Sequence, residues 1–213
     1  MIARLALFVL LVCASRAGAA PLPFAEALPW ARVAAAHAGD WAEYAVRVGE
    51  HPVGPWLRFR VLGSAPEGGT WIEVWISERP GSATQAYRLL VDADGRPRRV
   101  VARLLGGASR ELELPDERDE GPPSSDPTLV TLGEEPVQTG AGTLLATRVE
   151  SRQGPSWVVR AWVASEVPVF GLARIDLPSG TGLELSGWGR GGKGVVELPA
   201  TGSAAARPAF PRD

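Results

Sequence analysis

The chain has 213 residues, a formal net charge of −2 and one cysteine. Because the charge is nearly balanced and no strongly basic excess is present, nucleic acid is excluded as a partner. A chain of this size buries enough surface to fold as one domain without disulfide bonds.

The first residues have the three-part pattern of a secretory signal peptide. Arg4 gives one positive charge, an apolar run covers residues 5–12, and small residues follow. Ala17 and Ala19 supply the small residues that a signal peptidase requires, whereas the apolar run is far shorter than the roughly 20 residues of a membrane-spanning helix. The sequence therefore predicts a signal peptide over 1–19, a periplasmic or secreted protein, and no transmembrane span after cleavage.

Cys13 lies inside this predicted signal. Val12 precedes it at a position where lipidation signals have a small residue, so the sequence does not favour a lipid anchor at Cys13. Cleavage after Ala19 would remove this cysteine and leave a chain without a thiol. Disulfides, thiol catalysis and cysteine metal sites are then excluded.

One short helix is predicted over residues 24–38, with Pro29 in its first turn and Gly39 as its cap. From Trp41 onward the apolar pattern has a period of two, which is typical of strands. The Asp94-Gly95 pair predicts a tight hairpin turn. The predicted strands cover residues 41–48, 56–62, 70–77, 87–91, 100–105, 110–114, 129–132, 137–139, 143–149, 157–163, 167–177 and 183–188.

Two segments differ from the rest in composition. Residues 115–127 have no apolar side chain able to pack and predict an exposed polar loop. Residues 200–213 are rich in Ala and Pro without periodicity and predict a disordered tail. The prediction is therefore one β-rich domain over 20–199, after the signal and before the tail.

The order of the predicted elements determines the fold class. About ten strands joined by short turns, without helices between them, predict an antiparallel meander that must curl or close. The predicted fold is mainly β: a curved antiparallel sheet or incomplete β-barrel of about ten or eleven strands. Its short N-terminal helix is placed on the concave side.

No catalytic, cofactor or metal site is predicted. Residues 187–194 match a phosphate-binding loop except that Gly194 replaces the hydroxyl residue, and an apolar run ended by Pro199 follows where a helix is required. His37 and His51 are the only histidines, and neither has a second ligand at metal-like spacing. No G-x-S-x-G nucleophile motif is present.

Tryptophans and carboxylates are the remaining candidates. Eight tryptophans stand in a chain with two tyrosines, and on a curved sheet they either fill the space under the helix or line a pocket for an acyl chain. Glu43 and Glu73 are candidates for a carboxylate pair that acts on a glycan. The predicted ligand-binding residues are Trp71, Trp75, Trp56 and Trp162.

The second half of the chain resembles a known group of exported proteins. The stretches concerned are residues 130–135, 137–143, 161–172 (AWVASEVPVFGL) and 183–189 (LELSGWG), with residues 39–44 matching more loosely. They resemble uncharacterised exported bacterial proteins related to the LolA-like, outer-membrane lipoprotein-sorting group. The resemblance implies an incomplete β-barrel around helical cover, whose apolar interior holds lipoprotein acyl chains in the true carriers. It implies no catalytic residue.

The predicted function is that of an exported, non-enzymatic envelope protein that binds a lipid, such as a lipoprotein acyl chain, or another hydrophobic ligand in a half-barrel. Two alternatives stay open. One is an interaction or structural module that binds another envelope protein. The other is a glycan-binding or glycan-acting protein, which requires Glu43 and a second carboxylate to meet in an open cleft.

Overall fold

A computed structural model of the chain describes residues 28–79, 85–103, 109–112 and 128–191. These residues form one antiparallel sheet of eleven strands and one short 3₁₀ helix, Trp30–Ala35. The prediction of a mainly β, antiparallel fold with a short N-terminal helix is confirmed. The predicted signal peptide with Cys13, residues 24–27, the loop 115–127 and the tail 200–213 lie outside the described residues.

The strands are numbered in chain order. Their bounds are β1 Asp40–Val48, β2 His51–Ser64, β3 Thr70–Ser77, β4 Gln85–Val91, β5 Pro97–Arg103, β6 Ser109–Leu112, β7 Thr128–Thr139, β8 Gly142–Gln153, β9 Ser156–Val163, β10 Leu172–Asp176 and β11 Thr181–Arg190.

The sheet is a continuous meander whose first and last strands meet in its middle. Its spatial order is β6-β5-β4-β3-β2-β1-β11-β10-β9-β8-β7, and all neighbours pair antiparallel. The short turns predicted this arrangement, since they join only strands that are adjacent in space. Within the described ranges, β6 and β7 pair on one side only and form the two edges of the open sheet.

The helix is shorter than predicted. It covers Trp30–Ala35, and Ala36 already has extended backbone angles (φ −80°, ψ 153°), so the prediction that it extends to residue 38 is wrong. Trp30 and Val33 are its buried residues. Because a 3₁₀ helix has three residues per turn, this spacing puts both side chains on one face, and six residues suffice to bury them.

The helix covers one face of the sheet, which we name the interior face. Trp30 lies edge-on to Phe59 and Phe170, with ring centroids 6.0 and 5.3 Å away, and these two phenylalanines are 4.9 Å apart. Tyr44 on β1 completes the cluster, 6.2 Å from Phe59. Aromatic rings at such distances and edge-on angles are in favourable contact. The space under the helix is therefore filled by the chain's own aromatic side chains.

The connection between β9 and β10 also covers the interior face. A strand was predicted over 167–177, but β10 begins only at Leu172. Pro168 cannot donate to a strand ladder, and Val169 has a φ of 70°, a conformation that costs a β-branched residue about 1–3 kcal/mol. Val169 and Phe170 are both buried. The residues before Leu172 therefore form a turn that buries Val169 and Phe170, and the prediction of a strand from residue 167 is wrong there.

One strand replaces two predicted strands at the sheet edge. The predictions over 129–132 and 137–139 are joined in β7, Thr128–Thr139. The register shifts between Thr131 and Gly133, where Gly133 has a φ of 125°. An edge strand tolerates such a bulge and a proline because one of its sides has no hydrogen-bonded neighbour.

The predicted Asp94-Gly95 turn is confirmed between β4 and β5. The Asp92 side chain accepts hydrogen bonds from the backbone N–H groups of Asp94 (3.0 Å) and Arg96 (2.8 Å), and Gly95 has a φ of 84°. A Cβ atom at Gly95 would lie 2.7 Å from the backbone nitrogen of Ala31. Glycine is thus required at this position both for the turn and for contact with the helix.

Candidate functional site

Trp71 and Trp75 lie on the opposite face of the sheet, which we name the outer face. Their neighbours Ile72 and Val74 belong to the interior cluster, and alternate residues of a strand point to opposite faces. Trp71 packs in a separate apolar cluster with Trp75 and Leu90.

Arginine side chains cover these indoles. The Arg58 guanidinium lies 4.5 Å from the Trp41 ring centroid and 5.6 Å from that of Trp75, and Arg99 lies 5.6 Å from that of Trp71. Such cation–π contacts contribute about 0.5–1 kcal/mol each at partly exposed sites. Around Trp41, Trp71 and Trp75 the outer face is thus covered by arginine side chains.

Trp56 lies on β2, diagonally across from Trp75 of β3 in the strand register. It pairs with Ala45 on one side and Ser77 on the other, near the start of β2. Its ring lies against Gly54, where a Cβ atom would be 2.9 Å away. The structure does not bring Trp56, Trp71 or Trp75 together with Trp162, and their role in ligand binding stays a prediction.

Glu43 and Glu73 are both buried and both engaged by neighbours. Glu43 forms an ion pair with Arg58 at 2.9 Å, whereas Glu73 accepts a hydrogen bond from the Trp75 indole at 2.7 Å and lies 3.9 Å from Arg88. Strand β2 lies between the strands that carry them. A carboxylate pair facing a cleft is therefore not what these two residues form.

The glycines that resembled a phosphate loop have a packing role in β11. Gly187 and Gly189 lie beside the Trp41 indole: a Cβ atom would be 3.6 Å from it at Gly187 and 3.2 Å at Gly189. Both glycines stand within the strand Thr181–Arg190. Their missing side chains make room for the indole. Residues 192–194 of the motif lie outside the described residues.

Trp162, the fourth predicted residue, lines a groove of about 500 Å³ between β7 and the neighbouring strands β10 and β11. Every residue from 135 to 140 contributes to its walls, together with Glu50, Trp162, Arg174 and Glu184. This volume lies within the range of known ligand sites, about 300–1,000 Å³. We name this cavity the β7 groove.

The groove exists because the tip of the β7–β8 hairpin folds over β11. The backbone N–H of Ala141 donates to the Leu185 carbonyl (3.2 Å), and that of Gly140 donates to the Glu184 carboxylate (3.2 Å). A Cβ atom at Gly140 would lie 3.4 Å from the Ser186 Cα. Close backbone approach at this glycine holds the hairpin over the outer face of β11.

The floor of the groove is fixed by hydrogen bonds and stacking. The Trp162 indole N–H donates to Glu135 at 2.6 Å, and Arg148 lies 3.5 Å from the same carboxylate oxygen. The Arg174 guanidinium lies 5.0 Å from the Trp162 ring centroid. Since every partner is anchored on a strand, Glu135 and Trp162 are held in defined positions.

Three carboxylates line the groove, Glu50, Glu135 and Glu184, and we name them the acidic wall. A buried arginine lies against two of them. Arg47, whose side chain is 2% exposed, lies 2.9 Å from Asp176, 2.8 Å from Glu50 and 3.7 Å from Glu184. A buried charge of this kind requires compensation, and these three carboxylates provide it. Arg174 adds ion pairs to Asp176 and Glu50. The lining itself holds three carboxylates, Glu50, Glu135 and Glu184, against one arginine.

The backbone of β7 forms part of the groove wall. Every residue from 135 to 140 lines the cavity although the side chains of a strand alternate between faces, so backbone atoms contribute to the lining as well as side chains. Thr139 pairs with Gly142 at the end of the hairpin, and the two hydrogen-bonding sides of a strand alternate along it. Pro136 and Gln138 therefore direct their backbone groups away from β8. Proline fits such an outward position because it has no N–H to leave unpaired.

Two further results limit the chemistry of the described residues. In the ranges 28–79, 85–103, 109–112 and 128–191, no three His, Cys, Asp or Glu side chains are grouped to hold a metal ion. No helix in the same ranges is both long and apolar enough to cross a membrane.

Sequence reasoning missed most of the groove. Of its residues only Trp162 was predicted, whereas Glu50, Glu135, Arg174 and Glu184 were not. Pro136 within a strand-like run was the one available signal, because proline in a sheet favours an edge.

The comparisons with known proteins concern the fold. No family model and no curated protein matches the chain. A crystal structure of a protein described as exported and as having a YmcC-like fold, from Bacteroides fragilis, is 13% identical with a TM-score of 0.38. The match covers 73% of this chain and 97% of the Bacteroides fragilis chain. A protein described as a lipoprotein, from Parabacteroides distasonis, is 10% identical with a TM-score of 0.37, covering 72% and 96%.

At such identities and TM-scores, no property of these two proteins is carried to this chain. The resemblance to the LolA-like group stays a prediction from sequence. The fold alone defines the class: a mainly β protein built on one open, eleven-stranded antiparallel meander with its helix on the interior face.

Proposed function

We propose that this chain is an exported, non-enzymatic interaction module of the cell envelope, which binds part of another envelope protein in the β7 groove. The β7 groove carries this proposal, because it combines charged walls with a strand edge that has backbone groups available for pairing. The predicted signal peptide over 1–19 supports the location, since no other segment of the sequence has this pattern.

The lipid-binding hypothesis gains no support from the interior face. An acyl chain would have to displace the cluster of Trp30, Phe59 and Phe170, whose ring centroids are 4.9 to 6.0 Å apart. Contacts among these rings stabilise the interior, and opening a space for an acyl chain would lose them. The β7 groove, by contrast, has four charged side chains in its lining and suits a polar partner.

In-cell photo-cross-linking tests the proposal directly. We would replace Gln138, on the open edge of the groove, with a benzophenone amino acid and irradiate cells that export the full chain. The matched control is the same replacement at Arg98 on β5, whose side chain is 63% exposed and which is not among the residues that line the groove.

The proposal expects one reproducible protein adduct at position 138 that is absent at position 98. The same adducts at both positions, or a lipid adduct at position 138, would contradict it. Mass spectrometry of the adduct distinguishes protein from lipid.

A further inference from the structure

We infer that the bound segment is an extended peptide that adds as a strand to the open edge of β7 and directs a basic side chain to the acidic wall. This inference rests on the proposed function and names the kind of partner segment that the groove takes. Strand addition to an exposed edge is a general mode of peptide recognition, in which main-chain hydrogen bonds give affinity and side-chain contacts give specificity.

The backbone of β7 provides the pairing groups. In the described part of the chain β7 pairs only with β8, so its other side has no strand neighbour. The outward positions are those of Pro136 and Gln138. Pro136 offers only its carbonyl, whereas Gln138 offers both N–H and C=O, so the available pairing is centred on Gln138. We place the added strand beside β7 at the usual spacing of about 4.8 Å, along the residues that line the groove.

The charges of the walls select the side chain. Glu50, Glu135 and Glu184 line the groove, and Arg174 is the only cation in its lining. Arg174 is already engaged by Asp176 at 2.8 Å and by the Trp162 ring. The carboxylates of the wall are paired as well, with Arg47, Arg148 and Arg174. Together with Asp176, however, the four carboxylates outnumber these three arginines. The remaining negative charge favours a lysine or arginine side chain over a carboxylate.

Both the edge and the wall are attached to rigid elements. Glu135 is fixed by the Trp162 indole at 2.6 Å, and the hairpin tip is fixed to β11 through Ala141 and Leu185. A groove that is already formed does not have to be ordered when a ligand binds, which lowers the entropic cost of association. The strand β7 and the acidic wall are thus held in fixed positions around the β7 groove.

Capped seven-residue peptides test the inference on the full exported chain. The probe alternates threonine and lysine, and its charge control alternates threonine and glutamate. In two further threonine–lysine peptides alternate backbone amides are N-methylated. One peptide is methylated at its threonines and the other at its lysines. Binding is measured by titration calorimetry at low and at physiological salt, since ionic attraction is screened by salt.

We expect the threonine–lysine peptide to bind and the threonine–glutamate peptide to bind at least about tenfold more weakly, a difference of about 1.4 kcal/mol. We expect one N-methylated peptide to lose at least about tenfold in affinity while the other keeps it, because only one set of amides faces the edge.

Two variants of the chain test the wall. Glu135→Gln is expected to lower the affinity for the threonine–lysine peptide, whereas Glu111→Gln is expected to leave this affinity unchanged. The two carboxylates are comparably exposed, at 39% and 46%, and each pairs with one or more arginines, but Glu111 lies on β6 outside the groove. Thermal unfolding of both variants checks that they fold.

Three outcomes would overturn the inference: no binding of the lysine peptide at concentrations up to about 1 mM, equal affinity for the glutamate peptide, or full affinity of both N-methylated peptides. If a protein adduct still forms at position 138, the proposed function survives and the partner binds in another manner. If no adduct forms at that position, the proposed function fails as well.

Discussion

Trp41 lies across two glycines of β11, and the two positions differ in the space they leave. A Cβ atom would be 3.2 Å from the indole at Gly189 but 3.6 Å away at Gly187, an ordinary contact. We expect Gly189→Ala to lower the free energy of unfolding by about 1 kcal/mol, because the indole and Arg58 must shift. Gly187→Ala is the control and is expected to be neutral. Urea unfolding measures both, and equal effects would contradict the packing role of Gly189.

Glu150 predicts a dependence of stability on pH. Hydrogen bonds from Arg152 and Arg160 hold its pKa below the usual range. A carboxyl group whose pKa is lowered by folding stabilises the fold above its unfolded pKa, about 4.3, and this contribution is lost as the pH falls through the folded pKa.

We therefore expect Glu150→Gln to be less stable than the unaltered chain at about pH 7, with a difference that shrinks toward about pH 3. Glu134→Gln on β7, whose side chain is exposed, serves as the control. Urea unfolding at both pH values measures the difference. A constant gap between the two proteins would contradict the role given to Glu150.

Single residues of the groove were hard to predict because the groove depends on long-range packing. Trp162 was singled out as a large aromatic residue within a strand, and the structure places it at the floor. Glu135 and Glu184 are ordinary strand carboxylates in the sequence, separated by 49 positions (184 − 135). They line one cavity only because the hairpin tip folds back over β11, and no local pattern records that contact.

At the scale of elements, the 3₁₀ helix closes the interior face by packing Trp30 against the aromatic rings of the sheet. Trp30 is buried among aromatic rings, whereas Trp188 on β11 is 40% exposed. We expect Trp30→Ala to cost about 3–5 kcal/mol of unfolding free energy. Trp188→Ala, the same change at an exposed position, should cost less than about 1 kcal/mol. Thermal or urea unfolding measures both, and similar losses would contradict a closed interior.

Period-two patterns predicted the strands well where one side of the strand is buried. The predicted range 70–77 is that of β3, and the range 41–48 differs from β1 by one residue. The pattern failed where tertiary contacts outweighed it. Val169 and Phe170 are as apolar as strand residues, but they are buried in a turn. The helix was predicted too long because alanines favour helices, whereas burial of Trp30 and Val33 requires only two short turns.

At the scale of the whole molecule, the two faces of the sheet differ in what they leave available. The interior face is filled by aromatic side chains from the helix, the strands and the β9–β10 connection. On the outer face, arginines lie over Trp41 and Trp71, and the β7 groove opens beside β10 and β11. Binding is therefore expected at one edge of the sheet rather than under the helix.

Amide hydrogen exchange measured residue by residue tests this placement most directly. With the full exported chain and a saturating amount of the threonine–lysine peptide, we expect the Gln138 amide to exchange at least about tenfold more slowly, since it gains a hydrogen bond. The Phe59 amide, within the interior, should be unchanged. An unchanged rate at Gln138 together with a slower rate at residues of the interior face would contradict binding at the β7 edge.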